Sequence, residues 1–539
     1  MIVDARSITP LSPTPELSTW TNGKFRLTWR GFFFVPGYRT GDESAEIFVR
    51  LSESESLRDA LIGTYGHFFA VLDDLKAGTR RAFVDSGGMF KAYLWERTLS
   101  TSYRELLDRA NLSLPDLDPN SVVEFLQFGI LYGEHTLTPS IRKLGVGEIV
   151  VLDGDNLRIE QAAVPELGDS AAQRISLPKL LESFAYACRN VRVSLDLTGG
   201  LDTRFLATHL RRIDFPFEVA LSGPPDTTES ILASNVADHL YLPLHLNTPN
   251  PMHVDLDDAF RLADGLMDTL GSHIIAQYQA DRARRGISLV VGGIGAPLFR
   301  DEWWYQDFPR LWRKKSNVAR LYDLRFSPLV FPHELLQEPF AEAGRSLRAR
   351  MLERMRSLTR SRNTETYDII YHEFVTRQRA GAILSRIGSL YHAVYAPFAE
   401  PDALRIGYTL PRLQRVFLRY HRRHITATNP KVARLLTTEQ TTASSEPLLF
   451  ALDVGRYSVN KMRRLAKKIG QRVLGKTFFQ PPTWDHEWEA RVMKTTAAVE
   501  LFESLEHTGI LQEGVAVDEI PDRLLGRFLT LGDVVRHFS

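Results

Sequence analysis

Ser194-Leu195-Asp196-Leu197-Thr198-Gly199-Gly200-Leu201-Asp202-Thr203-Arg204 decides how this chain is read. An apolar run ends in Thr-Gly-Gly, and a helix-forming run follows. Two adjacent glycines let backbone N–H groups come close to a phosphate, a helix start adds positive partial charge, and Thr198 and Thr203 supply hydroxyls. Asp202 would repel a bare phosphate, but its carboxylate has a role if Mg²⁺ bridges it to phosphate oxygens. The same residues also read as a capped turn of an α/β sheet, with Asp202 as the N-cap.

On either side the pattern alternates. Leu177–Asn190 has helical spacing, Val191–Leu197 is a short apolar strand, Thr198–Asp202 is the turn and Thr203–Arg212 the next helix. Phe217–Leu221, Leu242–Leu246 and Ser288–Val291 read as further strands, with helices over Glu229–Leu240 and His273–Arg285 between them. Such alternation implies a parallel sheet covered by helices, with ligands beyond the carboxyl ends of its strands. From Leu311 onward the patterns are mostly helical and Arg-rich, without an internal repeat. Upstream, Gly23 to about Val164 is strand-rich: Phe25–Val35, Glu46–Leu51, His67–Leu72 and Arg81–Leu94 read as strands, Glu105–Ala110 and Ser121–Tyr132 as helices. The character changes across Val151–Ser176, where the boundary between two domains is expected.

Composition narrows the function classes. The chain has 539 residues, with 66 Lys and Arg against 65 Asp and Glu, a net charge of +1. No global basic field exists to drive nucleic-acid binding. Apolar residues at 44% and charged residues at 24% are ordinary for a globular chain. The single cysteine, Cys188, excludes an intrachain disulfide framework and a Cys-rich metal site. Met1–Thr9 lacks the apolar stretch of a secretion signal, and no run of about 18 apolar residues is present to span a bilayer. A cytoplasmic location is expected.

Thr198-Gly199-Gly200-Leu201-Asp202-Thr203 resembles the Ser-Gly-Gly-x-Asp-Ser pyrophosphate loop of the ATP pyrophosphatases, in their asparagine synthetase-like branch, with Thr for both serines. Phe217–Leu221 with Asp226 and Glu229 is similar to the family's second strand and acidic pair. Val290-Val291-Gly292-Gly293-Ile294-Gly295 is similar to its third glycine loop, and Tyr395-Ala396-Pro397-Phe398 to its Pro-Phe element. Upstream, Gly63–Val71, Val84–Gly88 and Leu137–Glu148 resemble a class II glutamine amidotransferase domain. The resemblance implies an α/β chain of two domains: an N-terminal antiparallel αββα-type sheet domain over 1–165, and a parallel-sheet ATP-pyrophosphatase domain with a helical C-terminal part over 175–539. It implies ATP and Mg²⁺ as cofactors. Leu197, Ala220 and Leu221 would line the adenine, while Thr198, Gly199, Gly200, Asp202 and Thr203 would hold pyrophosphate. Asp202 would also ligate the metal, with Thr203 beside it in catalysis, and Gly292 and Gly293 would face the nucleotide.

The chain departs from the family at several points. Where glutamine-hydrolysing members have a cysteine at the second position, this chain has Ile2, and Cys188 reads as a core thiol. No glutaminase is expected, and the N-terminal half resembles the silent counterpart in β-lactam synthetases and lasso-peptide cyclases. The third glycine loop continues as Ala296-Pro297-Leu298-Phe299 where the family has an Asp-Glu pair. Asp301 and Glu302 are the nearest acids, read either as substitutes or as surface residues beside Trp303 and Trp304. Lys431 is a candidate for the family's transition-state lysine, and Tyr391, His392 and Tyr395 are candidate bases, each with a packing or solvated reading beside it. The cluster Arg419, His421, Arg422, Arg423 and His424 reads as an anion site or an exposed helix face. Lys461–Lys476, basic and apolar in alternation, reads as a solvated face or as a segment on an anionic surface.

The expectation is an AMP- and pyrophosphate-forming amide ligase joining a small-molecule or peptide carboxylate to an amine or ammonia, in specialised-metabolite, peptide or surface-polymer synthesis. A homodimer or a biosynthetic partner protein is compatible with it, and no nucleic acid or membrane span is expected. Two other readings stand beside it: a degenerate nucleotide-binding scaffold, and a tRNA-modifying enzyme of the same loop class.

Overall fold

In the computed structural model, β-rich runs of the N-terminal half form two antiparallel sheets. All residues are described except 6, 12–15, 163, 249–254, 305–314, 328–331, 475–495 and 539. One sheet is ordered β11-β10-β6-β5-β4-β3, from β3 (Ser18–Thr21), β4 (Phe25–Phe34), β5 (Tyr65–Asp74), β6 (Thr79–Val84), β10 (Glu148–Asp153) and β11 (Asn156–Gln161). The other is ordered β2-β1-β8-β7-β9, from β1 (Ile2–Val3), β2 (Ile8–Thr9), β7 (Tyr93–Trp95), β8 (Thr98–Ser100) and β9 (Ile141–Lys143). Val71, Val84 and Val150 of the first sheet share a core with Val3, Leu94 and Leu99 of the second. Helices Asp42–Ser54 and Leu57–Ile62 cover the outer face of the first sheet through Phe48, Val49 and Ala60. Tyr103–Ala110 and Pro119–Phe128 pack beside Tyr93 and Ile141 of the second. The half is thus layered helix, sheet, sheet, helix.

Three N-terminal expectations are corrected. Glu46–Leu51 lies inside the helix Asp42–Ser54, where Ala45, Phe48 and Val49 recur at helical spacing and Asp42 and Glu43 occupy the first turn. A short apolar run does not by itself separate the two periods. Arg81–Leu94 is two strands, not one: Asp85 accepts hydrogen bonds from the Met89 and Phe90 amides at 3.1 and 2.7 Å and folds the chain between β6 and β7. The helix from Ser121 ends at Phe128, closed by Gly129 at φ 68°.

The second half is a five-stranded parallel sheet ordered β14-β13-β12-β15-β16, built from β12 (Val193–Asp196), β13 (Glu218–Ser222), β14 (Leu244–Asn247), β15 (Leu289–Val291) and β16 (Ala393–Tyr395). β12 lies at its centre between parallel neighbours and is buried on two faces, and β15 beside it reads as a continuous apolar run. Part of the helical remainder packs on this sheet through Phe398, Tyr420, Ile425 and Val432, and part of it leaves. Thr496–His507 and Asp522–Val535 return to the N-terminal half and share one core with Tyr103–Ala110 and Pro119–Phe128, through Leu106, Phe125, Leu501 and Phe528. The expected helices over 311–314 and 475–495 fall outside the described residues.

The halves meet where β4 and β5 abut β16. The Tyr395 ring stacks on Phe184 at 4.9 Å and lies 5.3 Å from Phe32. Tyr65 donates its hydroxyl to Asp402 at 2.6 Å, and the Gly66 amide donates to Glu400 at 2.7 Å. Gly66 has no substitute: at φ 124° a Cβ would stand 2.1 Å from the Phe32 carbonyl oxygen. Among the described residues, no helix is long and apolar enough to cross a membrane.

Candidate functional site

At the carboxyl end of β12, the Leu197 amide donates to the Ala220 carbonyl at 2.8 Å and carries the ladder one residue past the strand. Leu197, Ala220 and Leu221 are buried and form an apolar floor there. Above it, Thr203 fastens the turn. The Thr198 amide donates to Thr203 Oγ1 at 3.1 Å, the two hydroxyls lie 3.2 Å apart, and the Gly200 amide donates to Thr198 Oγ1 at 3.3 Å. The helix Asp202–Arg212 then starts with Leu201 in the N-cap position, and no side chain caps it. The N-cap reading of Asp202 is therefore corrected: Asp202 is the first residue inside the helix. A leucine has no acceptor to offer, so the first N–H groups face the turn without a side-chain partner and carry the positive end of the helix dipole.

Gly292 and Gly293 come to the same place from β15. The Gly292 amide donates to the Tyr395 carbonyl at 3.0 Å, and a Cβ on Gly292 would lie 3.5 Å from Asp196 Oδ2. A Cβ on Gly293 would lie 3.3 Å from the Asp202 Cβ and 3.4 Å from the Thr203 methyl. The two glycine loops therefore face each other across the strand ends.

A segment far along the chain walls the turn. Arg204, fully buried, donates to the carbonyls of Leu435 at 2.9 Å and Leu436 at 2.8 Å. The Thr438 amide donates to the Gly199 carbonyl at 3.2 Å, and the Thr438 methyl lies 2.7 Å from where a Gly199 Cβ would be. Burial lowers the Arg204 pKa to about 10, still well above neutrality.

Two groups face the Asp202 carboxylate. Arg300 Nη1 is 3.3 Å from Oδ2, and its Nε is 3.3 Å from Glu302. Burial works against the Arg300 charge, and Asp202 and Glu302 outweigh it, so its pKa is raised. His421 Nε2 is 3.3 Å from Asp202 Oδ1. That ring is fully buried among Phe398, Phe205 and Phe299, and burial pushes its pKa down to about 4 against the pull of Asp202. Asp202 Oδ1 and both nitrogens of this neutral imidazole are buried without a hydrogen-bond partner. A carboxylate oxygen so placed fits a divalent cation. Among the described residues no three His, Cys, Asp or Glu side chains converge, so the other ligands of such an ion would be phosphate oxygens and water.

Other expectations resolve by packing. Glu302 reaches Arg300, and Asp301 is buried, so the surface reading of Asp301 is corrected. Tyr395 belongs to the aromatic seam between the halves. His392 bonds Gln279 at 2.9 Å, and burial pushes its pKa down to about 3. Cys188 is a buried thiol whose pKa burial raises. Lys431 is exposed on the short helix Pro430–Ala433. The basic cluster is not an exposed face as a whole, since His421 meets Asp202 while Arg422 is buried and donates to Asp453 at 2.7 Å. Arg300 and His421 are the groups sequence reasoning did not bring to the turn. Neither the Leu298-Phe299 and Asp301-Glu302 pairs that flank Arg300 nor the basic neighbours of His421 gave a local sign of it.

A polar cavity of about 760 Å³ opens beside the end of β14, lined by Asn247, Thr248, Asp255, His273, Tyr278 and Asp281 among others. A second, of about 490 Å³, lies between Leu177, Leu410, Tyr420 and His424. Neither is lined by the turn. In comparisons with known proteins, no family model matches the chain and no curated protein matches it.

Proposed function

We propose that this chain is an ATP-dependent, AMP- and pyrophosphate-forming carbon–nitrogen ligase, related to the asparagine synthetase-like enzymes its turn resembles. It activates a small-molecule or peptide carboxylate as the adenylate and passes the acyl group to an amine or ammonia. One observation carries this reading: an uncapped helix start behind Thr198–Gly200, facing Gly292 and Gly293, with an Asp202 oxygen at its edge that accepts no hydrogen bond.

In this reading the free N–H groups at the helix start receive the leaving pyrophosphate, where the dipole stabilises the charge that develops as the bond to the α-phosphorus breaks. Thr203 keeps the turn in shape by accepting the Thr198 amide, and Arg300 offsets the repulsion between Asp202 and the phosphates. Asp202 would hold Mg²⁺, which neutralises phosphate charge when bound. Leu197, Ala220 and Leu221 offer an apolar floor to the base. With Cys188, the chain's single cysteine, buried in the core, the amine is supplied by a substrate or as free ammonia. ATP supply makes a cytoplasmic setting part of the same proposal.

Calorimetric titration with ATP, with and without Mg²⁺, tests it on the wild type and Asp202→Ala, followed by ATP–pyrophosphate exchange over a panel of carboxylates. Binding that Asp202→Ala removes, together with exchange for at least one carboxylate, is expected. Absence of ATP binding would falsify the reading. A second reading, a nucleotide-binding scaffold, is favoured by Ala296–Phe299, which carries no acid where the family has two. ATP binding without exchange for any carboxylate selects it.

A further inference from the structure

The helix Pro447–Leu474 has two faces in opposite company. Phe450, Asp453, Tyr457 and Asn460, three and four residues apart, tie it to the body. Asp453 is buried and accepts from Arg422 at 2.7 Å and from the Thr442 amide at 3.0 Å. Tyr457 packs edge-on to Phe417 at 5.3 Å, and Asn460 donates to the Glu439 carbonyl at 3.2 Å. On the other side Leu448, Leu452, Val459 and Met462 are exposed by 75%, 52%, 48% and 69%.

Spacings of four, seven and three residues put these side chains on one stripe, about 21 Å long at 1.5 Å per residue. Single exposed apolar residues are ordinary, but four in a row on one helix mark a contact surface. The sequence continues the same spacing at Ala466, Ile469 and Val473. Charge decides what the stripe meets. Residues 447–476 contain eight Lys or Arg and one acid, Asp453, which is buried and paired with Arg422. A second copy of this helix would bring eight more positive charges and no available acid. An anionic bilayer offers both an apolar interior for the stripe and negative headgroups for the basic residues.

We propose that Pro447–Leu474 lies in the plane of an anionic lipid surface, with Leu448, Leu452, Val459 and Met462 in the acyl boundary. The binding is peripheral, and it holds whether or not the turn takes ATP.

The test is sedimentation of the full chain with vesicles of phosphatidylcholine alone and of phosphatidylcholine and phosphatidylglycerol in equal parts. The expected result is binding to the mixed vesicles alone, weakened by salt. The double variant Leu452→Glu with Met462→Glu, in exposed positions that leave Tm unchanged, is expected to bind at least about tenfold more weakly. Light scattering of the protein without vesicles is the second measurement, with a single species expected at all concentrations. Absence of binding to either vesicle, equal binding to both, or binding that the double variant retains overturns the proposal. So does a concentration-dependent dimer that the same substitutions dissociate, which would give the stripe to a second copy of the chain.

Discussion

Arg300 reaches back from beyond the second glycine loop to place its guanidinium 3.3 Å from Asp202 Oδ2. A cation is thereby built into a turn whose only side-chain charge would otherwise oppose a phosphate. Replacing it with an uncharged side chain of similar reach, Arg300→Met, is expected to weaken ATP binding about tenfold, the loss of one charge-assisted contact. Titration calorimetry reads this directly, and an unchanged Kd would remove Arg300 from the site.

Thr203 Oγ1 accepts the Thr198 amide at 3.1 Å, so the hydroxyl matters and the methyl does not. Thr203→Ala leaves that amide without its acceptor, at a cost of about 1 kcal/mol in the order of the turn. ATP affinity is expected to fall about fivefold for Thr203→Ala and to stay near wild type for Thr203→Ser. Equal losses in both variants would mean that Thr203 acts through its shape.

Gly199 faces the Thr438 methyl, 2.7 Å from the position of a Cβ. Gly199→Ala is expected to destabilise the fold by about 1–3 kcal/mol through overpacking. Thr438→Ser removes the colliding methyl and keeps the backbone bond, so the double variant should recover most of the loss. Urea midpoints of the four chains measure the coupling, and purely additive effects would contradict it.

His421 is neutral in the fold because burial pushes its pKa down to about 4. Its unfolded value is about 6.5, so below that pH the unfolded chain takes up a proton the folded chain refuses, and stability falls with pH. His421→Phe keeps an aromatic ring among Phe205, Phe299 and Phe398 and removes the titration. Between pH 6.5 and 5 the wild type should lose about 2 kcal/mol relative to this variant. Denaturation curves at the two pH values check the sign, and a gap that stays constant would place a proton on His421 in the fold.

The turn itself was legible because its chemistry is local: two glycines and two hydroxyls within six residues determine the backbone and its hydrogen bonds. The central strands were legible too, since each is buried on both faces and shows as an apolar run between helices. Glu46–Leu51 misled because six residues hold less than two helical turns, and its apolar positions satisfy either period. The surroundings of Asp202 were hidden for a different reason. Arg300 reaches it from the extended residue after Ala296–Phe299 and His421 from the helix Arg419–Thr428, and whether a basic residue points outward or into a phenylalanine cluster is decided by packing against elements distant in the chain. The return of Asp522–Val535 to the N-terminal half is of the same kind, as its apolar face names no partner.

Arg204 closes the turn by bonding Leu435 and Leu436, whose carbonyls lie 231 and 232 residues further along the chain. During synthesis at about 5–20 residues per second, that wall emerges roughly 10–50 s after the turn. The glycine loop is therefore made early and completed late. A nascent chain carries an open, half-walled turn until Leu435–Thr438 have emerged, and any ligand that depends on Thr438 and Arg204 for its grip can be retained only from then on.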